Sequence, residues 1–174
     1  MFKFVRRTIE FIHKRVDPIG FARKSGVVLG ERCRLVSVSF GSEPWLVRLG
    51  DHVSATEVAF VTHDGSVWVF RDKHPDIDVL APITVGNNVF IGSRTIVLPG
   101  VTIGDNVIIG AGSVVARDIP SDCVAAGVPA KRIRDLGEYE ERILARSEKT
   151  KTMSADAKKR FYQQKFQERL ETRR

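Results

Sequence analysis

The sequence has 174 residues, 43% of them hydrophobic and 28% charged, with a mean hydropathy of -0.12. This composition fits one ordinary domain with room for a core, and excludes a disulfide-stapled miniprotein, a disordered chain and, with no apolar run near the roughly 18 residues a span needs, a membrane-spanning one. The net charge of +7 is concentrated at the ends: residues 1–26 carry +5, residues 27–134 carry −1 and residues 135–174 carry +3.

In chain order, Phe2, Val5, Ile9, Ile12 and Val16 recur at three- and four-residue steps among basic residues. This spacing predicts an N-terminal basic amphipathic helix, stopped by Asp17-Pro18. Its apolar stripe either packs on the rest of the chain or a neighbouring subunit, or rests peripherally on anionic lipid at the inner membrane face. Glu10, His13, Lys14 and Arg15 interrupt it where a secretory signal needs an apolar core. Together with Cys33 and Cys123, read as reduced thiols, this predicts a cytoplasmic protein.

A six-residue frame then begins, as LGERCR LVSVSF (29–40) and LGDHVS ATEVAF (49–60), with GSEPWLVR (41–48) between them. It breaks from about His63 to Pro82 and resumes at Val85 as VGNNVF, IGSRTI, VLPGVT, IGDNVI, IGAGSV and VARDIP, six hexads without a slip. Position one is β-branched throughout (Val85, Ile91, Val97, Ile103, Ile109, Val115), and Gly follows it in four of the six. β-Branched residues stacking on their counterparts, with Gly where the chain turns, predict a β solenoid of six-residue repeats over residues 27–134, with a loop extruded at 64–82. The tail, residues 135–174, reads as a helix from about Gly137 to Arg146, a polar link, and a second helix with Ser154 at its N-cap and a stripe of Ala157, Phe161, Tyr162, Phe166 and Leu170.

Of four histidines, His13 lies in the basic helix and His52 at a position where the repeat carries polar residues such as Asn88 and Asn106, so both read as solvated. His63 closes a phased strand pair where the solenoid extrudes its loop, and loops on rigid scaffolds carry function. The excursion itself mixes Trp68, Phe70, Arg71, Lys73, His74 and Asp76, polar and aromatic together as sugar-binding loops are.

THDGSVWVF (62–70), FGSEP (40–44), IGSRTIVLPGVTIGDNVIIGAGSVVARDIP (91–120) and VAAGVPAKRIR (124–134) resemble the hexapeptide-repeat acyltransferases, in particular the maltose, galactoside and xenobiotic acetyltransferases and the O-acetyltransferases of capsule and lipopolysaccharide assembly. The resemblance implies an all-β solenoid in the form of a left-handed parallel β-helix, a homotrimer with active sites between subunits, and acetyl-CoA as co-substrate without a metal. It also implies direct transfer to a sugar hydroxyl of a surface-polysaccharide precursor through a tetrahedral intermediate. His63 is then the general base, since an imidazole of pKa about 6.5 takes a hydroxyl proton while mostly neutral. The Ser93 amide is the candidate oxyanion donor.

Orientation of His63 falls to Asp64, to Glu57 one hexad earlier, or to a backbone carbonyl. Glu43 of FGSEP either holds the acceptor sugar, with Trp68 and His74, or merely makes a loop turn. For the donor, the resemblance assigns Phe90, Ser93, Gly110 and Ala111 to the pantetheine arm and Arg117, Lys131 and Arg134 to the nucleotide and phosphates. Phe90 and Arg94-Thr95 depart from the common pattern. N-acetylation of an amino nucleotide sugar is the alternative reading. A zinc enzyme of the γ-carbonic anhydrase type is remote, because His52, His63 and His74 show no ligand spacing. A non-catalytic scaffold is the third. Nucleic-acid binding finds no support, because the core is not basic and no reading motif is present.

Overall fold

The computed structural model describes residues 15–171. The basic helix expected over 2–16 therefore lies outside the described residues, apart from Arg15 and Val16, which are helical. Asp17-Pro18 starts a helix as well as ending one. Helix α1 (Pro18–Lys24) has Pro at its first position and the Asp17 carboxylate accepting from the Gly20 amide at 2.8 Å.

Short strands form three sheets among the described residues: β1 (Val28–Leu29), β3 (Val47–Leu49), β6 (Ile83–Val85) and β9 (Thr102–Ile103); β2 (Arg34–Val36), β4 (Ser54–Thr56), β7 (Val89–Ile91), β10 (Val107–Ile109), β12 (Cys123–Gly127) and β13 (Ala130–Asp135); and β5 (Ala59–Phe60), β8 (Ile96–Val97) and β11 (Val114–Val115). All neighbours are parallel except β12 and β13, a hairpin that the repeat did not predict. Thr84 pairs with Thr102, Val89 with Val107 and Ile96 with Val114, each eighteen residues on, so three hexads make one coil. The chain therefore visits each of three sheets once per coil, as a parallel β solenoid must.

The lead residues of the hexads form the core. Leu49, Val85 and Ile103 stack in one column, Ala55, Ile91, Ile109 and Ala125 in a second, and Phe60, Val97 and Val115 in a third, all 3% exposed or less. The early coils do not keep the six-residue phase. Ala55 pairs with Ile91, 36 residues on, but Phe60 pairs with Val97, 37 residues on, so the corner between them is one residue shorter than its counterpart at Ser93. Phe60 rather than Val61 thus enters the core, where its ring stacks on Phe40 at 5.5 Å.

The glycines that follow lead residues serve close approach. A Cβ on Gly86 would sit 2.8 Å from the Gly104 carbonyl carbon one coil on. The left-handed conformation falls two residues later, on Arg32, His52, Asn88, Asn106 and Asp122, with φ between 55° and 59°. Their side chains form a ladder across the coils: His52 Nδ1 lies 2.9 Å from Asn88 Oδ1, and the Asn88 and Asn106 amides donate to Asn106 and Asp122 at 2.9 Å each. Asn and Asp tolerate this conformation because such short polar side chains can hydrogen-bond locally.

The chain divides into two compact units between Tyr139 and Glu140. Helix α2 (Leu136–Arg146) runs across this division, and α3 (Ala155–Glu171) lies in the second unit, with Ser154 Oγ accepting from the Ala157 amide. Within the second unit Lys165 pairs with Glu148, and Phe161, Tyr162 and Phe166 make ring contacts at 5.2 and 5.7 Å. No helix among the described residues is long and apolar enough to cross a membrane.

If the columns carry the fold, Ile109→Ala, which empties a fully buried position, destabilises the chain by about 2–5 kcal/mol, read as a lowered urea midpoint with unchanged m-value.

Candidate active site

The corner after the third sheet is where the site is built. The Phe40–Phe60 column sets the register there, and three residues beyond each lie Glu43 and His63, one coil apart. Gly41, at φ 65°, makes the turn, and Pro44 starts a short 3-10 helix (Pro44–Leu46) that holds Glu43 at its N-cap position. Glu43 is thereby stacked against His63, with Glu43 Oε2 at 3.1 Å from His63 Nδ1. The same oxygen accepts from the hydroxyl of Thr62, a residue with no exposed surface, at 2.8 Å.

That arrangement assigns the tautomer. The Thr62 hydroxyl, with burial opposing it and the His63 ring adding to it, holds the Glu43 carboxyl below the ordinary carboxylate range. An ionised carboxylate oxygen only accepts, so His63 Nδ1 must carry the proton and Nε2 is bare when the ring is neutral. His63 is 43% exposed and Glu43 only 16%, so the ring is far more open to solvent than its orienting partner.

The acids expected beside His63 are engaged elsewhere. Asp64 caps the 3-10 helix Gly65–Phe70, its Oδ1 accepting from the Ser66 amide at 2.9 Å, and that bond, with the Ser66 hydroxyl, lowers its pKa. Glu57 sits at the preceding corner with φ 51°, its Oε2 3.8 Å from Arg94 Nε. The physical reason is the coil: a residue one hexad back lies on the next face, whereas a residue one full coil back lies directly beneath. Thr62, which the sequence reading passed over, completes the group.

The excursion 64–82 returns antiparallel to its own start. His63 bridges Leu80, the Asp64 amide donates to the Val79 carbonyl and the Ala81 amide to that of Thr62, both at 2.9 Å. Its fold leaves a cleft of about 300 Å³ beside His63, Glu43 and Asp64, with Trp68, Arg71 and Asp78 on the loop side. Trp68, expected to meet the acceptor, lines this cleft; His74 does not, its amide closing a turn on the Phe70 carbonyl.

The residues expected to meet the donor divide between two regions. Ser93, Gly110 and Ala111 share the corner between the six- and three-stranded sheets, with the Gly112 amide donating to the Ser93 carbonyl at 2.8 Å. Pairing aligns Phe90, Ile108, Val124 and Arg134 in one row, and Phe90 is outward-facing and 47% exposed. Lys131 follows on β13 beside Ala126. Arg134 Nη1 is buried with no hydrogen-bond partner among the described residues, a donor that a phosphate oxygen would satisfy. Arg117 instead follows the three-stranded sheet, at the corner that carries His63. His52 belongs to the corner ladder, and no group of three or more His, Cys, Asp or Glu among the described residues is gathered for a metal ion.

Such coils, with a histidine at an extruded loop, define a hexapeptide-repeat transferase, and comparison with known proteins agrees. The model for "Bacterial transferase hexapeptide (six repeats)" matches residues 82–117. Protein CapG of Staphylococcus aureus is 50% identical over 150 residues, 84% of this chain and 87% of CapG. A galactoside acetyltransferase solved with coenzyme A is 37% identical with a TM-score of 0.55, over 67% of this chain and 58% of that one. A hexapeptide-repeat acetyltransferase of Vibrio cholerae O1 biovar eltor, solved with acetyl coenzyme A, is 28% identical with a TM-score of 0.54, over 64% of this chain and 61% of that one. The chain thus spans about three fifths of each solved enzyme. It belongs to the hexapeptide-repeat acyltransferase family, and that membership implies the left-handed sense of the coil.

Because the folded-state pKa of Glu43 is lowered, its stabilising contribution is fully present above the ordinary glutamate value, about 4.3, and is lost as pH falls through the lowered one. Thr62→Val deletes the largest cause of the shift. The stability lost between about pH 6 and pH 3 is then smaller in the variant than in the wild type, measured by urea midpoints at both pH values.

Proposed function

We propose that the chain is an acetyl-CoA-dependent O-acetyltransferase acting on a sugar hydroxyl of a surface-polysaccharide precursor, as a cytoplasmic homotrimer. The observation that carries this is the Thr62–Glu43–His63 arrangement, which leaves Nε2 of a half-exposed imidazole bare beside a polar, Trp-bearing cleft. A hydroxyl is a poor nucleophile at neutral pH and needs a positioned base, contributing about 10²–10⁴-fold to the rate.

In this mechanism Nε2 of His63 takes the acceptor proton as the sugar oxygen attacks the acetyl carbonyl. Glu43, a positioning residue, keeps Nδ1 protonated and stabilises the imidazolium that forms. The backbone amide of Ser93 donates to the carbonyl oxygen as it gains charge, at little reorganisation cost on a rigid coil. When the C–S bond breaks, His63 returns its proton to the departing thiolate, so one ring serves as base and then as acid. Bound acetyl-CoA supplies the activated acetyl group. Phe90, Gly110 and Ala111 would hold its arm, and Lys131, Arg134 and Arg117 its charged end.

His63 and Arg117 belong to one corner of the coil, and Ser93, Gly110 and Ala111 to another. Two corners of one solenoid face different ways, so a site that uses both sets is built from two copies. This supports active sites between subunits of a trimer.

Two measurements test the reading. His63→Ala lowers kcat/KM for acetyl transfer to a hydroxyl acceptor at least about a hundredfold, read by thiol release over a panel of sugars, nucleotide sugars and amino sugars; transfer to amines alone, indifferent to the substitution, contradicts it. Mixing His63→Ala chains with Ala111→Trp chains, each inactive alone, restores part of the activity on subunit exchange, whereas sites complete within one subunit recover none.

A further inference from the structure

We propose that the cleft beside His63 selects uncharged pyranoside acceptors and rejects those that bring a carboxylate or phosphate into it. The inference rests on the O-acetyltransferase reading and narrows its acceptor class. The ionised groups lining the cleft are the carboxylates of Glu43, Asp64 and Asp78 and the guanidinium of Arg71.

Arg71 is already engaged. Its Nη1 donates to the carbonyls of Pro75 and Ile77, each at 2.8 Å, and its Nη2 to Asp78 Oδ1 at 3.2 Å. It closes the excursion on itself, with three of its five N–H groups committed to the loop. With His63 neutral, three carboxylates against one guanidinium give this chain's share of the cleft lining a charge of −2. Thr62 and Ser66 hold Glu43 and Asp64 in the ionised form at neutral pH.

A neutral sugar meets the opposite situation. Its hydroxyls are donors, and the cleft is rich in acceptor-only oxygens. Trp68, 78% exposed, offers an aromatic face with one polar handle to the C–H face of a pyranose. Two excess negative charges about 7 Å from an acceptor carboxylate, at the dielectric of water, weaken its binding about tenfold. Salt removes that penalty, because the cleft is open to solvent.

The test uses matched acceptors that differ only in charge: the methyl glycoside of glucuronic acid and its neutral C6 amide, and the methyl glycoside of galacturonic acid and its C6 amide. With the full chain and acetyl-CoA at low ionic strength, the amides show kcat/KM about tenfold higher than the acids. The gap closes at about 0.5 M salt and narrows in Asp78→Asn, which frees Arg71. Equal or better use of the acids, or a gap indifferent to salt, overturns the inference.

If no acceptor of either kind is acetylated, the O-acetyltransferase reading fails, and the cleft's selectivity is decided separately by quenching of Trp68 fluorescence in Trp45→Phe. Iodide quenching weaker than caesium quenching, with the difference lost in salt, upholds a cleft that repels anions. Iodide as effective as caesium overturns it.

Discussion

Every coil of this solenoid must bring the chain back to the same place one strand spacing, about 4.8 Å, further along, and the corners enforce that. At most corners one residue turns left-handed: Arg32, His52, Asn88, Asn106 and Asp122 at the first, Ser37, Glu57, Arg94 and Gly112 at the second, Gly41 and Gly100 at the third. For L-residues this conformation costs about 1–2 kcal/mol, offset by side-chain ladders between coils and by the buried columns they hold in register. Once the corners are fixed, position in the repeat becomes position in space.

The site exploits that rule. Phe40 and Phe60 share a column, so Glu43 and His63, three residues beyond each, meet without any special loop. Thr62 has no exposed surface, and its hydroxyl fixes the carboxylate from within. The His63 ring is thereby oriented by the rigid part of the molecule, and the far wall of the cleft is built from the excursion. That division suits an enzyme family in which the chemistry stays constant and the acceptor varies.

The six hexads from Val85 onward announced the parallel coil, its columns and the position of the break, because a period of six with β-branched leads is hard to satisfy otherwise. The shorter corner at Glu57 had a signal too: Val36 and Thr56 stand where Gly92 and Gly110 follow their lead residues. The partner of His63 was legible in principle, since Glu43 lies twenty residues earlier, the spacing by which Arg34 pairs with Ser54. Asp64 and Glu57, the acids nearest in sequence, lie one residue and one hexad from His63 instead of one coil. The β12–β13 hairpin and the engagement of Arg71 within its own loop carry no periodic signal, because they depend on a reversal and on carbonyls that only the folded chain aligns.

What unites these features is an imidazole whose Nδ1 is held by a carboxylate, so that Nε2 is bare whenever the ring is neutral. The most direct measurement is the tautomer of His63 by ¹⁵N NMR of the full chain at a pH where the ring is neutral, with the signal assigned by its loss in His63→Ala. The account predicts a protonated Nδ1 and a bare Nε2 in the wild type, and a mixture of tautomers in Glu43→Ala. A proton on Nε2 in the wild type, or a tautomer unaffected by loss of Glu43, would contradict it.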